Sequence, residues 1–288
     1  MCRLLAITSS VPIDATPILA EFAARCRASK EYQGHGWGVA RADGDGRGVA
    51  RTDRDGRDVA RTDGDEGGVP HRLHGDVAWR RYRSVRPIWE DEWPRFEPAR
   101  MWIVHARSAF RNEGVVVANN MPFLADDLAF AFNGELRGVR LQAPGDTGAA
   151  RLLHLLGRFR TAADGNVLDA LVRLDRVVSQ RSHYVRALNV VAADRDRVYV
   201  HCHYSEDAEY FTLHTAVGEG APGARIEAGE GGRDPTDAGG RADTDATPAP
   251  PNAPIAIVCS ERLDVPGIGP WEPVPNHSTL ALETGVTC

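Results

Sequence analysis

A cysteine at position 2 places a thiol almost at the start of the chain. If Met1 is removed, that thiol and a free α-amino group belong to one residue, which then carries a nucleophile and its own base. An α-amine with a reference pKa of about 7.7–8.0 takes a thiol proton near neutral pH, directly or through a water, without a histidine. Chain ends are ordinarily frayed. Here Arg3, Leu4, Leu5, Ala6 and Ile7 follow at once as an apolar run, which predicts a buried strand that holds Cys2 in place. Three other groups stand out. Arg107 ends the apolar run Met101-Trp102-Ile103-Val104-His105-Ala106, and a charge at the end of such a strand is a candidate binding group. Asn133-Gly134 stops the strand Leu128 to Phe132 and by itself predicts a type I′ hairpin turn. His201 and His203 alternate with Val200 and Cys202, so they share one sheet face. Two histidines there could hold a metal, but no third ligand is evident nearby, and the pattern predicts solvent-facing side chains with no metal or cofactor.

These groups need a scaffold. Apolar residues at helical spacing predict a helix over Asp14 to Lys30, with Asp14 or Thr16 as cap and Pro17 in its first turn; Cys26 falls on its core face. Gln33 to Ala40 sets Gly34, Gly36 and Gly38 around His35 and Trp37, a density that implies close backbone approach. From Val39 a Val-Ala-Arg pattern recurs with a period of ten through Gly67. Its Asp-x-Asp-Gly steps lack the bidentate glutamate and helical flanks of a calcium loop, so it reads as a solvated hairpin tip. Strands are predicted at Val77 to Val85 and at 101–107, with a loop containing a helical turn at Pro87 to Arg100. Helices follow at Thr147 to Phe159, capped by Asp146 or Thr147, and at Val167 to Val178. Three antiparallel strands are then predicted at Val185 to Ala192, Arg197 to His203 and Glu209 to Ala216. Further strands fall at Ile255 to Ser260 and Ser278 to Leu282. Gly218 to Pro254 is too poor in apolar residues to bury a core and reads as an insertion. Strands, two adjacent helices and more strands predict two antiparallel sheets with helices packed on them. Residues 2–288 then form a single domain with low-complexity insertions at 41–68 and 218–254.

With 288 residues, 42% of them hydrophobic, the chain has enough apolar material for a real core, and its net charge of -6 excludes a basic footprint for nucleic acid. No stretch approaches the roughly 18 apolar residues that span a bilayer, and no signal-peptide pattern opens the chain. Cys2, Cys26, Cys202, Cys259 and Cys288 form no CxxC pair and are odd in number, which predicts reduced thiols and a cytoplasmic setting.

Five motifs occur in order: Met-Cys-Arg-Leu-Leu at the start, Gly36-Trp37-Gly38, His105-Ala106-Arg107, Asn120-Met121-Pro122-Phe123, and Phe132-Asn133-Gly134-Glu135-Leu136. Together they resemble the class II glutamine amidotransferases of the small stand-alone type, which are N-terminal-nucleophile hydrolases with an α+β, four-layer αββα fold. The resemblance implies that Cys2 attacks a carboxamide carbon to form a thioester, with Asn133 and the Gly134 N–H binding the oxyanion. It implies that Arg107 binds the substrate α-carboxylate through a planar fork. The implied partners are a small-molecule amide, glutamine or a γ-glutamyl compound, and an ammonia-accepting synthase subunit. The chain departs from the family pattern in the loop after Arg107, where Phe110 and Arg111 stand in place of the usual threonine and glycine, and at two further positions. The usual histidine of Asn-x-His-Pro is Met121, and the aspartate that helps bind the α-ammonium is replaced by Gly148. Because an unpaired ammonium in a closed site is costly, the pattern predicts that Asp146 or another carboxylate takes over, or that the substrate is larger or altered. An inactive member acting as a binding or regulatory subunit is the competing expectation. A self-processing peptidase fits less well, because no propeptide precedes Cys2.

Overall fold

The first strand, β1 (Arg3–Ile13), is almost wholly buried because it is covered on both faces, which is why its sequence reads as a continuous apolar run. Leu5 and Ile7 face a helix, whereas Leu4 and Ala6 face a second sheet. The computed structural model describes residues 1–42, 79–109, 113–194, 197–220 and 253–282. Most of the period-ten segment, Phe110, Arg111, residues 221–252 and Cys288 lie outside the described residues.

Helix α1 (Thr16–Ala28) follows β1, with Pro17 in its first turn and the Asp14 carboxylate accepting from the Thr16 N–H at 2.9 Å. Then come β2 (Trp37–Ala42), β3 (Arg80–Ser84), β4 (Ala99–Ala106), β5 (Phe123–Ala125) and β6 (Leu128–Arg137). Helices α2 (Gly148–Thr161) and α3 (Val167–Arg181) precede β7 (Tyr184–Ala193) and β8 (Val198–Cys202). A short helix α4 (Ala208–Phe211) leads to β9 (His214–Gly220), β10 (Ala253–Cys259), β11 (Glu272–Pro273) and β12 (Ser278–Leu282). The seven-stranded sheet runs β11-β9-β10-β1-β4-β2-β3 and the five-stranded sheet β12-β8-β7-β6-β5. All the pairings are antiparallel.

Four layers result. Ile18, Leu19 and Phe22 of α1 pack on Leu5, Ile7, Trp102 and Ile257 of the first sheet. Leu4, Ala6, Ile103 and Val258 on that sheet's other face meet Phe130 and Val191 of the second, whose far side carries Leu156 and Leu171 of α2 and α3. The α+β, αββα expectation is met.

Four local expectations are corrected. Asn133-Gly134 makes no turn: β6 runs through it to Arg137, with Asn133 opposite Asn189 and Gly134 opposite Leu188 of β7. Cross-strand pairing overrides the turn preference of the dipeptide. Glu209 to Ala216 is not a third meander strand, because it splits into α4 and the start of β9, and β9 belongs to the other sheet. The insertion expected from Gly218 to Pro254 is shorter on both sides, since β9 reaches Gly220 and β10 begins at Ala253. Finally, His201 and His203 are buried, and Asp175 of α3 is a third potential ligand beside them.

Because β1 sits between β10 and β4 at the centre of its sheet, its packing governs the whole layer. Leu5 is fully buried, and Leu5→Ala should cost about 2–5 kcal/mol of unfolding free energy. Chemical denaturation of the variant checks this.

Candidate active site

The N-terminal residues are tied on every side. The Met1 ammonium pairs with Glu31, and the Met1 carbonyl accepts from Gln33 Nε2 at 2.6 Å and from the Tyr210 hydroxyl at 2.7 Å. Arg3 is only 4% exposed. Its guanidinium donates to the Tyr210 carbonyl at 3.1 Å and to Ser29 Oγ at 3.0 Å, pairs with Glu261, and lies 3.9 Å over the Tyr210 ring. The Leu4 N–H donates to Ser260 Oγ and the Ser260 N–H to the Leu4 carbonyl, both at 2.9 Å.

Cys2 is thereby held at the start of the central strand β1, against β6 of the second sheet. Its backbone N–H donates to Asn133 Oδ1 at 2.9 Å, and its Sγ accepts from the Ser108 N–H at 3.4 Å. Burial pushes the Cys2 thiol up, opposed by the Ser108 hydrogen bond, the N-terminal charge and Arg107, so the group stays protonated at neutral pH. The other end of the Asn133 amide, Nδ2, is buried without a hydrogen-bond partner among the described residues.

Gly134 adds a second donor. The Leu188 N–H is used by the His203 carbonyl on the β8 side, so the Gly134–Leu188 pair exchanges no bond across β6 and β7. The Gly134 N–H therefore points to the opposite side of β6, where the Phe132 N–H meets Met121 Sδ at 3.3 Å. A side chain at 134 has no room, because an added Cβ would lie 2.0 Å from the Ala187 carbonyl oxygen.

Arg107 follows β4. Its backbone continues the pairing with the glycine-rich stretch, its N–H donating to the Gly36 carbonyl at 2.8 Å. Gly36 adopts φ of +108°, and a Cβ there would meet the Ser84 carbonyl at 2.5 Å. The Arg107 guanidinium donates to the Gly114 carbonyl at 2.7 Å and to Asn120 Oδ1 at 3.4 Å. Among the described residues no imidazole bonds to the Cys2 thiol. His35 Nδ1 accepts from the Ala109 N–H at 2.9 Å, and burial pushes His105 down to about 3, which keeps it neutral.

No protein-family model matches the sequence, and no curated protein matches it. Among solved structures, a predicted glutamine amidotransferase from Pseudomonas aeruginosa PA01 superposes with a TM-score of 0.53 at 16% identity, covering 99% of this chain and 98% of that one. The chain has that glutamine amidotransferase's fold. Weaker likenesses are a glutamine aminotransferase class-II domain protein from Silicibacter pomeroyi and a glutamine phosphoribosylpyrophosphate amidotransferase from B. subtilis. Their TM-scores are 0.47 and 0.45 at 15% and 13% identity. They cover 98% and 90% of this chain, and 95% and 42% of theirs.

Within this amidotransferase fold, Cys2 and Asn133 touch, and Arg107 lies one residue from the Ser108 amide that contacts the thiol. Asp146 is not brought to them: it is exposed in the loop before α2 and bonds to none of the three, while Thr147 caps the helix by accepting from the Ala150 N–H at 3.1 Å. Sequence reading missed Gln33, Tyr210 and Ser108, and gave no role to Asn120, which opens the Asn120-Met121-Pro122-Phe123 motif. Gln33 and Asn120 are fully buried polar side chains, and a buried amide has a signal only once its burial is known.

Gly134→Ala should lower stability by about 1–3 kcal/mol or more, because the Ala187 carbonyl cannot yield without breaking the β6–β7 register. Thermal unfolding beside Gly148→Ala, whose added Cβ would meet nothing within 4 Å, gives the contrast.

Proposed function

We propose that the chain is a cysteine-dependent amidohydrolase that cleaves the side-chain amide of glutamine or a γ-glutamyl-type compound through a thioester on Cys2, releasing ammonia or amine. The observation that carries this reading is the split use of one amide: Asn133 Oδ1 accepts from the Cys2 nitrogen while the buried Nδ2 has no partner among the described residues. A buried N–H pair left unsatisfied costs on the order of 1–3 kcal/mol, and a developing oxyanion beside Cys2 is the ligand that would satisfy it.

In this reading Met1 is removed and the Cys2 nitrogen becomes a free amine still oriented by Asn133 Oδ1. The amine takes the thiol proton as Sγ attacks the amide carbon. The oxyanion collects Asn133 Nδ2 and the Gly134 N–H. Collapse breaks the C–N bond, and the ammonium proton goes to the departing nitrogen. Water then cleaves the thioester by the same route in reverse, leaving a carboxylate and the free thiol. Arg107, the strand-end cation, would exchange its carbonyl and Asn120 contacts for the substrate α-carboxylate. Ammonia would leave as product or pass to a separate synthase subunit. The free thiols of Cys2, Cys26, Cys202 and Cys259 suit a cytoplasmic setting.

A second reading, a binding or regulatory subunit without turnover, is favoured by one observation: the exposed Asp146 and the side-chain-free Gly148 leave the α-ammonium end without a carboxylate at α2. Ammonia release from glutamine and from a γ-glutamyl amide separates the readings. Cys2→Ala should abolish release, Asn133→Ala should lower kcat by about 100–1,000-fold, and Arg107→Ala should act mainly on KM. Wild-type protein inert toward both substrates would sink the enzymatic reading. Gly148→Asp, in open space at the first turn of α2, should lower KM for glutamine. Because a protonated amine cannot accept the thiol proton, kcat/KM should rise with pH through roughly 7.7–8.0. A pH profile flat down to 6 would contradict the amine as base.

A further inference from the structure

His201 and His203 lie on the face of the second sheet opposite to Asn133. Asn133 is opposite Asn189 across β6 and β7, whereas His201 is opposite Val190, so the two sites use alternate faces. On the helix-covered face, α3 sets Asp175 against both rings. His203 Nδ1 is 2.5 Å from Asp175 Oδ1, and His201 Nε2 is 3.7 Å from the same oxygen. The three candidate ligand atoms lie within 4.8 Å of one another. His201 is 2% exposed and His203 6%.

The orientation of His201 is fixed from behind. Its Nδ1 lies 2.8 Å from Thr279 Oγ1 of β12, while Nε2 is on the side of the carboxylate and makes no hydrogen bond among the described residues. An Nδ1–H donated to the threonine hydroxyl leaves a lone pair on Nε2, buried and aimed into the cluster. Second-shell bonds of this kind set the tautomer of metal-binding imidazoles. Asp175 Oδ1 also accepts from Ser179 Oγ at 3.2 Å, which steadies the carboxylate, and the His277 ring lies 4.1 Å from the His203 ring at the open side.

We propose that Asp175, His201 and His203 form a binding site for one divalent transition-metal ion, with Zn2+ as the best fit. Two imidazole nitrogens and one carboxylate oxygen are borderline ligands suited to Zn2+, and too few oxygens converge for Ca2+ or Mg2+. Atoms bound to a tetrahedral ion at about 2.0–2.2 Å stand about 3.3–3.5 Å apart. The His201–Asp175 pair needs to close by a few tenths of an ångström, the His203–Asp175 pair to open by about 1 Å, and the two imidazole nitrogens, which lie within 4.8 Å of each other, to approach by up to about 1.3 Å, shifts that side-chain rotations supply. The fourth position stays open for water or for His277. The ion would tie α3 to β8 and, through Thr279, to β12, and so fasten the outer helix layer onto the sheet that carries Asn133. This inference does not depend on the amidohydrolase reading, because its ligands take no part in that chemistry.

The test uses the full chain, stripped with chelator and titrated with Zn2+. Wild type should bind about one ion per chain by calorimetry and elemental analysis, and Cys2→Ala should bind equally, which excludes the N-terminal thiol as the site. Asp175→Asn and His203→Ala should lose the ion, and Thr279→Val should bind about 10–100-fold more weakly. Hydrogen exchange on wild type, needing no variant to fold, should show Zn2+-dependent protection concentrated in α3 and β8. Absence of binding by wild type, binding unchanged in His203→Ala, or protection located elsewhere would overturn the proposal.

Discussion

The fixed position of Cys2 rests on one buried cation. Arg3 brings a guanidinium that is almost wholly buried and meets it with the Ser29 hydroxyl at the end of α1, the Tyr210 carbonyl and ring at α4, and the Glu261 carboxylate just beyond β10. Three segments far apart in the chain are thus fastened to the residue next to Cys2. Desolvating such a cation is costly, and removing one partner of a buried pair typically costs about 3–5 kcal/mol. Position, rather than net stability, is what the arrangement supplies. A chain end that would otherwise fray is held so that the nitrogen of Cys2 stays 2.9 Å from Asn133.

From that constraint the chemistry follows with few parts. The thiol is raised by burial, so it needs a base, and the histidines closest in sequence to the site are committed elsewhere: His105 is neutral in the core and His35 accepts a backbone N–H. The residue's own nitrogen is the base that remains in the proposed mechanism. In the proposed mechanism Asn133 serves two ends of the reaction with one side chain, its oxygen accepting from the nitrogen of Cys2 and its buried amide nitrogen having no hydrogen-bond partner among the described residues. This is possible because β6 carries Asn133 and Gly134 in extended backbone, with the Gly134 N–H directed away from β7.

Much of this was legible in the sequence, for a physical reason: strands buried on both faces are uniformly apolar, so β1, β4 and β10 stand out, and the amphipathic stripes of α2 and α3 do as well. The order of layers and the pairing of Cys2 with Asn133 were foreshadowed by motif resemblance. What sequence misread was decided by distant partners. Asn133-Gly134 carries the local chemistry of a turn, yet β7 pairs with it on both sides of the dipeptide and the Ala187 carbonyl demands glycine at 134. Glu209 to Ala216 is apolar enough for a strand, but Asp207 takes a left-handed conformation that starts a helical turn. Asp175 stands 26 positions before His201, on a helix, and no spacing rule links a helix residue to a strand residue across a layer boundary. Asp146 erred the other way, adjacent in motif but exposed and unconnected in space.

The central claim is that Cys2, as the first residue of the mature chain, is the nucleophile. Intact-mass measurement of active protein, before and after treatment with a glutamine-shaped electrophile, tests it most directly. The account predicts a chain lacking Met1 that gains one adduct, located on Cys2 by peptide mapping, with activity lost in proportion to labelling. Active protein that retains Met1, or an adduct that forms on Cys26, Cys202 or Cys259 while Cys2 stays unmodified, would contradict it.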